Sequence, residues 1–130
     1  MARSWKPVET AGSIAPPAGA YSPAIRAGDF VYVSGQVPKD PVTGSMVSGG
    51  VGPQTKQVIA NLRAALAPAG ATLEDVVAIT AYLASIDDWD AFNDAYREAM
   101  PQPFPTRTTV GAGLHGFLVE ISAVAYAPAK

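Results

Sequence analysis

The stretch FLVEISAVAYA, residues 117–127, has the pattern of a β-strand whose two faces differ. Side chains alternate between the faces of a sheet, so every second residue of a strand shares a face. One set is apolar throughout and is typical of a face covered by helices: Phe117, Val119, Ile121, Ala123 and Ala125. The other set is half apolar and half polar: Leu118, Glu120, Ser122, Val124 and Tyr126. This second face is too apolar for open solvent, so we expect it to meet another copy of the protein.

Two further strands are predicted before the first helix. In YSPAIRAGDFVYVSGQVPKD, residues 21–40, two runs rich in Val, Ile, Phe and Tyr flank a Gly-Asp pair, which indicates a hairpin. Residues 1–18 are rich in Pro, Gly and Ala and predict an irregular N-terminal arm. Turn-forming residues fill the segment 41–52, which predicts a loop.

The segment GPQTKQVIANLRAALAPAG, residues 52–70, predicts a helix. Its apolar residues Val58, Leu62 and Leu66 recur at helical spacing. Gly70 suits the position just after a helix, where a glycine adopts the left-handed conformation most easily.

A strand and a second helix follow. LEDVVAITAYLAS, residues 73–85, alternates as a strand with one fully apolar face: Val77, Ile79, Ala81 and Leu83. Thr80 and Tyr82 belong to its other face, which we expect to be the mixed face of the last strand. IDDWDAFNDAYREAM, residues 86–100, predicts a helix that Asp87 or Asp88 can cap. Its aromatic stripe is predicted to be core rather than cofactor-binding: Trp89, Phe92 and Tyr96.

The end of the chain predicts two strands, around TRTTV (106–110) and in the opening stretch, joined by the turn GAGLHG (111–116). The order is then ββ-α-β-α-ββ. This order predicts a single α+β domain over residues 1–130, with two helices on one face of a mixed sheet.

The composition excludes several kinds of site. The chain of 130 residues has no cysteine and one histidine, His115, so disulfides, thiolate metal sites and multi-histidine metal sites are excluded. His115 lies in a predicted turn and is expected to be exposed. The net charge is -2 and the Lys and Arg residues are scattered, which disfavours nucleic acid as a partner. No apolar run is long enough for a membrane span, and the N-terminus lacks a signal-peptide pattern, so a cytoplasmic protein is expected.

Several motifs together resemble the Rid family, the reactive intermediate deaminases, also called the YjgF family. They are YSPAIRAGDFVYVSGQVPKDPVTG (21–44), Gln54, Gln57 and Asn61 of the first helix, FNDAYREAM (92–100), PTRTTV (105–110) and VEISAVA (119–125). They cover nearly the whole chain from Gly19 onward, in the family's order and spacing. The resemblance implies a chorismate-mutase-like fold and a homotrimer with three clefts between neighbouring subunits.

The resemblance also implies a reaction, the hydrolysis of reactive enamines and imines such as 2-aminoacrylate to 2-keto acids and ammonia. By this likeness Arg107 holds the substrate carboxylate, and Glu120 positions or activates the attacking water. No metal or organic cofactor is needed, because the substrate is already activated. Supporting positions carried over from the family are Tyr21, Ser34, Gly35 and Asn93, and Gln54, Gln57 and Asn61 are expected to be structural or surface residues.

The residue chemistry agrees with these roles. A guanidinium matches a carboxylate with two parallel hydrogen bonds and stays charged when partly buried. A carboxylate held at a closed interface can position a water molecule within hydrogen-bond reach of the substrate. The alternative for both residues is a structural ion pair between Arg107 and Glu120.

The chain departs from the family pattern at positions that bear on the substrate. Thr109 stands where many deaminase-active members carry a cysteine, and Pro23 and Ser122 also differ from the usual residues. Alternative functions therefore stay open: a small-carboxylate binding or sensing protein without turnover, a pathway-specific deaminase for a 2-aminomuconate-like substrate, or a ribonuclease or translation inhibitor. The last would need phosphate contacts that this acidic chain scarcely offers.

Overall fold

The computed structural model describes residues 3–129, which form one mixed β-sheet with two α-helices. The strands are β1 (Lys6–Pro7), β2 (Ala24–Ala27), β3 (Phe30–Gln36), β4 (Val76–Leu83), β5 (Thr106–Gly111) and β6 (Val119–Tyr126). The α-helices are α1 (Val51–Leu66) and α2 (Trp89–Ala99). The strand order is β1-β2-β3-β6-β4-β5, with β4 and β5 parallel and the other neighbours antiparallel. The predicted α+β class with a mixed sheet is confirmed.

The predicted N-terminal arm contains a short strand that the sequence did not reveal. Lys6 and Pro7 pair with β2, and the Val8 amide donates a hydrogen bond of 2.9 Å to the carbonyl of Ala24. The arm is thereby attached to the edge of the sheet at this point. Residues 1–2 of the predicted arm lie outside the described residues.

Helix α1 forms where its apolar spacing predicts it and buries that stripe against the sheet. Val58, Leu62 and Leu66 are fully buried, and each side chain contributes about 1.5–3 kcal/mol through removal from water. The helix continues into a short 3-10 turn, Ala67–Ala69, and the chain then reverses at Gly70 with φ 76°. That left-handed conformation is accessible to glycine at no steric cost, as predicted for this position.

The predicted faces of β4 are wrong at its first two residues. Val76 is buried and Val77 is 43% exposed, the reverse of the expected arrangement. A β-bulge lies between Val76 and Ala78 opposite β6, and the extra residue shifts the alternation by one position. From Ile79 onward the predicted faces are confirmed, because Ile79 and Leu83 are buried.

The segment 112–118 connects β5 to β6, as the predicted turn at 111–116 requires, but the two strands are not neighbours in the sheet. Strand β4 lies between β5 and β6, pairing in parallel with the first and antiparallel with the second. The connection therefore crosses β4 before it enters β6. Strand β6 becomes a central strand, paired on both edges, which explains why its helix-facing residues Val119, Ile121 and Ala125 are fully buried.

Helix α2 is preceded by a cap different from the predicted one. A 3-10 turn, Ile86–Asp88, comes first, and the hydroxyl of Ser85 accepts a hydrogen bond of 3.2 Å from the Asp87 amide. Asp88, at the first position before α2, makes no side-chain capping bond. The cap lies upstream of the predicted Asp87 and Asp88 because the chain begins to coil one turn before the α-helix.

The face of the sheet opposite the helices carries exposed aromatic side chains. Phe30, Tyr32 and Tyr126 are 39%, 45% and 47% exposed, and the rings of Phe30 and Tyr126 lie 5.3 Å apart across β3 and β6. Ser122 and Val124 lie on the same face and are half-buried. This open face has the mixed character expected from the sequence, and its contact with another copy stays a prediction.

Candidate functional site

Arg107 lies on β5 with its guanidinium over three aromatic rings of α2. The guanidinium carbon is 4.7 Å from the ring centre of Tyr96, 5.3 Å from that of Phe92 and 5.5 Å from that of Trp89. A cation above aromatic faces is attracted by the ring quadrupoles. The rings thus hold the cation in place without neutralising its charge.

The aromatic stripe of α2 was predicted to be core, and that interpretation is right only in part. Phe92 and Tyr96 are buried, whereas Trp89 is 39% exposed. All three also form the platform under Arg107. Their i, i+3, i+7 spacing indicates a shared helix face, but which strand residue lies over that face depends on the sheet order.

Arg107 forms no salt bridge within residues 3–129. The salt bridges of this part of the chain are Lys56–Glu98 at 2.8 Å and Arg97–Asp94 at 3.2 Å. A half-buried guanidinium without an acidic partner in the described part of the chain has its N–H donors available to an external anion.

Two buried hydroxyls lie on the elements that hold Arg107. The Tyr96 and Thr109 hydroxyls have no hydrogen-bond partner among residues 3–129. Burial raises the pKa of Tyr96, and this effect outweighs the lowering by the nearby Arg107 cation. The phenol therefore stays protonated and can donate a hydrogen bond. Buried hydroxyls are nearly always paired in folded proteins, so both have capacity for a water or a ligand.

A cavity of about 390 Å³ opens beside Arg107. Its lining residues come from α2, β5 and the segment between them: Asn93, Tyr96, Arg97, Phe104, Pro105 and Arg107. Asn93 was expected at the site and lies in this wall, whereas the sequence did not single out Arg97 or Phe104. The spacing of Asn93, Tyr96 and Arg97 on α2, at i, i+3 and i+4, is the signal that could have found Arg97.

Glu120 lies on β6 against Gly35 of β3. A Cβ atom on Gly35 would lie 2.9 Å from Cδ of Glu120, closer than side-chain atoms pack. The pairing of β3 with β6 is irregular between Val33 and Gln36, which places Gly35 in a bulge opposite this part of β6. The missing side chain at position 35 thus leaves room for the carboxylate of Glu120. The predicted approach of the Gly35 backbone to the substrate stays a prediction.

The environment of Glu120 favours its protonated form. Burial raises the pKa of the Glu120 carboxyl above its usual range. Within residues 3–129 its carboxylate takes part in no salt bridge. A carboxylate whose pKa is raised by burial accepts a proton more readily than an exposed carboxylate.

Ser34 and Tyr21 lie on the same side of the sheet as Glu120. The Ser34 hydroxyl donates a hydrogen bond of 2.7 Å to the Ser22 carbonyl, so in this conformation it supports the backbone before β2. Tyr21 is 49% exposed. Both line a cavity of about 420 Å³ that also includes Tyr32 and Ser122 of the open face.

The polar residues of α1 are structural, as expected. Asn61 is buried and donates hydrogen bonds of 2.9 Å to the carbonyls of Val37 and Lys39. Gln54 accepts a hydrogen bond of 2.8 Å from the Leu118 amide. These amides fix the loops after β3 and before β6, and His115 between β5 and β6 is exposed as predicted.

The predicted site residues fall into two groups on opposite faces of the sheet. The arginine group consists of Arg107, Thr109 and Asn93 with Tyr96, and the glutamate group consists of Glu120, Gly35, Ser34 and Tyr21. On β4, Arg107 pairs with Ile79 and Glu120 pairs with Tyr82. An offset of three residues along a strand changes the face, and the two α-carbons are about 14 Å apart by strand geometry. The ion pair between Arg107 and Glu120 that the sequence left open is therefore wrong within one chain.

Residues 3–129 contain no cluster of three or more His, Cys, Asp or Glu side chains with the arrangement of a metal site. None of the helices in the same range has the length and apolar character needed to cross a membrane. The cytoplasmic location stays a prediction.

Comparison with known proteins identifies the family. The family model described as Endoribonuclease L-PSP matches residues 12–127. The chain belongs to this family, which includes the Rid proteins. The resemblance of the sequence motifs to the Rid family is thereby confirmed.

Relatives of this Rid-family protein carry different descriptions. A RutC family protein of Pyrococcus abyssi is 43% identical over 112 residues, which are 85% of this chain and 88% of the relative. The human 2-iminobutanoate/2-iminopropanoate deaminase is 40% identical over 109 residues, which are 82% of this chain and 80% of the relative. The crystal structure of RidA from a Psychrobacter species has a TM-score of 0.83 at 31% identity, covering 88% of this chain and 94% of that one.

Proposed function

We propose that the protein is a deaminase that hydrolyses small 2-imino and 2-enamino acids, of the 2-aminoacrylate type, to 2-keto acids and ammonia. The proposal rests on the position of Arg107. Its guanidinium lies over the aromatic rings of α2 and forms no salt bridge within residues 3–129. Relatives named as imine deaminases at about 40% identity support it. The substrate carboxylate supplies the anion that Arg107 lacks.

Substrate binding begins with the guanidinium of Arg107. Two parallel N–H donors hold both carboxylate oxygens and so orient the adjacent imine carbon. The protonated Tyr96 hydroxyl and the Thr109 hydroxyl lie on the elements that carry this arginine and can donate to the bound acid or to a water beside it. Thr109 takes the place of the family's frequent cysteine in this role.

Glu120 acts on the attacking water. Its carboxylate accepts a proton from water while the water oxygen forms a bond to the imine carbon. Glu120 passes this proton to the imine nitrogen, which gives a carbinolamine. The carbinolamine hydroxyl then gives its proton to the amino group, its oxygen becomes the keto oxygen, the C–N bond breaks, and ammonia and the 2-keto acid are released. A 2-enamino acid enters the same sequence as its imine tautomer. The raised pKa of Glu120 suits this step, because a carboxylate with a raised pKa is a better proton acceptor.

The two groups of residues meet between neighbouring copies in a homotrimer. Within one chain they occupy opposite faces of the sheet, so a complete site needs the arginine group of one copy and the glutamate group of another. The exposed aromatic side chains of the open face, Phe30, Tyr32 and Tyr126, favour such self-association. Light scattering tests the assembly, with a mass of three 13.4 kDa chains as the expected result.

The deaminase proposal is tested with imino acids generated during the assay. An amino-acid dehydratase or oxidase supplies the substrate, and release of ammonia above the buffer rate is followed with and without the protein. Arg107→Ala is expected to lower kcat/KM about 100-fold, since a charge-assisted bidentate contact is lost. Arg63→Ala is the matched control, because Arg63 is an exposed helix arginine outside both groups. Equal rates with the parent protein, Arg107→Ala and buffer would exclude the activity.

A carboxylate-binding or sensing protein without turnover is the second candidate. Thr109 in place of the frequent cysteine favours it, because that position is next to the proposed carboxylate site. Calorimetry with 2-oxobutanoate then shows binding that depends on Arg107, while ammonia release stays at the buffer rate. A ribonuclease activity is disfavoured by the net charge of -2 and would appear as salt-dependent RNA cleavage.

A further inference from the structure

We infer that Arg97 binds a second acidic group of the substrate, so that the preferred substrate is a dicarboxylic 2-imino or 2-enamino acid. The inference rests on the proposed function for the reaction and for the role of Arg107. It extends that function to a substrate class of four carbons or more with an acid group at each end.

The charge of the cavity beside Arg107 is the first support. Its six lining residues include two arginines, Arg97 and Arg107, and no Asp or Glu. Arg97 follows Tyr96 directly on α2 and shares a helix face with Asn93, one turn earlier. Arg107 has no acidic partner among residues 3–129 and Arg97 has only Asp94 of its own helix, so the cavity presents two cations to a ligand with two carboxylates.

The present partner of Arg97 holds it weakly. Nη1 of Arg97 lies 3.2 Å from Oδ1 of Asp94, and the two side chains are 57% and 73% exposed. Exposed pairs of this kind contribute only about 0–1 kcal/mol. A ligand carboxylate that receives two parallel hydrogen bonds from the guanidinium can replace Asp94 at little cost.

The apolar part of the cavity wall suits a carbon chain. Phe104 and Pro105 line the cavity, and the Phe104 ring lies 6.2 Å from that of Tyr96. Phe104 is 44% exposed, so contact with a ligand removes apolar surface from water.

A dicarboxylic substrate is hydrolysed by the same bond changes as a monocarboxylic one. Water adds to the C=N carbon, its oxygen becomes the keto oxygen, the C–N bond breaks and ammonia carries away the nitrogen. The distal carboxylate takes no part in bond making. Its contact with Arg97 contributes to binding and orientation, which appears in KM and in the choice between substrates.

Calorimetry with stable keto acids tests the inference separately from catalysis. The measured quantity is the ratio of the Kd for 2-oxobutanoate to the Kd for 2-oxoglutarate. Arg97→Gln is expected to lower this preference for the dicarboxylate about tenfold, as the loss of one charged contact predicts. Asp94→Asn is expected to raise it, since the competing carboxylate is removed. Arg63→Gln makes the same charge change on an exposed face of α1 and should leave the ratio unchanged.

Turnover of imino acids generated by amino-acid oxidases completes the test. The iminosuccinate made from aspartate is compared with the iminopropanoate made from alanine, and kcat/KM for the first is expected to fall more in Arg97→Gln. A parent protein that prefers monocarboxylates, or an Arg97→Gln ratio equal to that of Arg63→Gln, overturns the inference and leaves the deaminase proposal intact. Binding of 2-oxoglutarate that depends on Arg97 without any ammonia release supports the subsite and removes the deaminase proposal.

Discussion

Arg107 and Glu120 extend from opposite faces of the same sheet, with β4 between the strands that carry them. On β4, Arg107 pairs with Ile79 and Glu120 pairs with Tyr82, three residues further along the strand. The two residues of one chain therefore do not share a site. Every catalytic scheme that uses both residues therefore needs a second copy of the chain.

Mixing of two inactive variants is expected to restore activity. If each site takes Arg107 from one copy and Glu120 from another, trimers assembled at random from Arg107→Ala and Glu120→Gln chains contain intact sites. With equal amounts of each chain, roughly a quarter of the sites receive both native residues. Ammonia release after joint refolding measures this recovery. Each variant refolded alone is the control, and a mixture no more active than its components contradicts a shared site.

Gly35→Ala is expected to lower activity while the fold persists. The added methyl group meets the carboxylate end of Glu120, which is flexible and moves aside more easily than backbone. The displaced carboxylate no longer holds water over the substrate, so kcat falls, by about 10²-fold if general-base catalysis is lost. Urea unfolding should show a change within about 1 kcal/mol. Gly113→Ala is a matched control, because a Cβ there meets nothing within 4 Å. Unchanged kcat in Gly35→Ala would argue against Glu120 as the group that holds water.

The raised pKa of Glu120 predicts how stability and activity depend on pH. The folded protein binds the Glu120 proton more tightly than the unfolded chain does, so protonation of Glu120 stabilises the fold. This contribution to the free energy of unfolding is complete below the ordinary glutamate pKa, about 4.3. It is lost as the pH rises through the raised pKa of the folded state. Glu120→Gln should remove this dependence, so the variant gains stability relative to the parent at pH 7 but not at pH 4.

Activity is expected to rise with pH, whereas the stabilising contribution of Glu120 falls. Proton acceptance requires the ionised carboxylate, so kcat/KM is expected to rise with pH through the raised pKa of Glu120 and then level off. Unfolding curves at fixed protein concentration and a pH–rate profile measure the two effects. A pH–rate profile whose rise follows the ordinary glutamate pKa would remove Glu120 from the proton transfer.

Tyr96→Phe is expected to separate ligand binding from stability. The Tyr96 hydroxyl is buried without a partner in residues 3–129, so its removal should leave the free energy of unfolding unchanged or raise it by up to about 1 kcal/mol. The increase in Tm caused by 2-oxobutanoate should be smaller in the variant, because a donor to the bound acid is gone. A loss of about 2 kcal/mol without ligand would instead show that the hydroxyl has a structural partner.

The elements of this fold follow from local patterns, which is why they could be predicted. The spacing of Val58, Leu62 and Leu66 determines α1, and the alternation in β6 separates Val119 and Ile121 from the mixed face. Such periodicity is a property of consecutive residues and of the geometry of one helix or strand. The alternation in β6 placed Glu120 on the mixed face, and the resemblance to the family's motifs made Arg107 and Glu120 the candidate site residues.

Their spatial relationship was decided by contacts between distant parts of the chain. The position of β4 between β5 and β6 separates Arg107 from Glu120, and the bulge at Val76 reverses two side chains of β4. Packing of β5 beside α2 brings Arg107 over Tyr96 and opens the cavity that includes Arg97. Apart from the bulge at the start of β4, the sequence by itself determined which face each residue occupies within its own element. Only the tertiary structure decided which faces meet, because strand order and register depend on burial summed over the whole sheet.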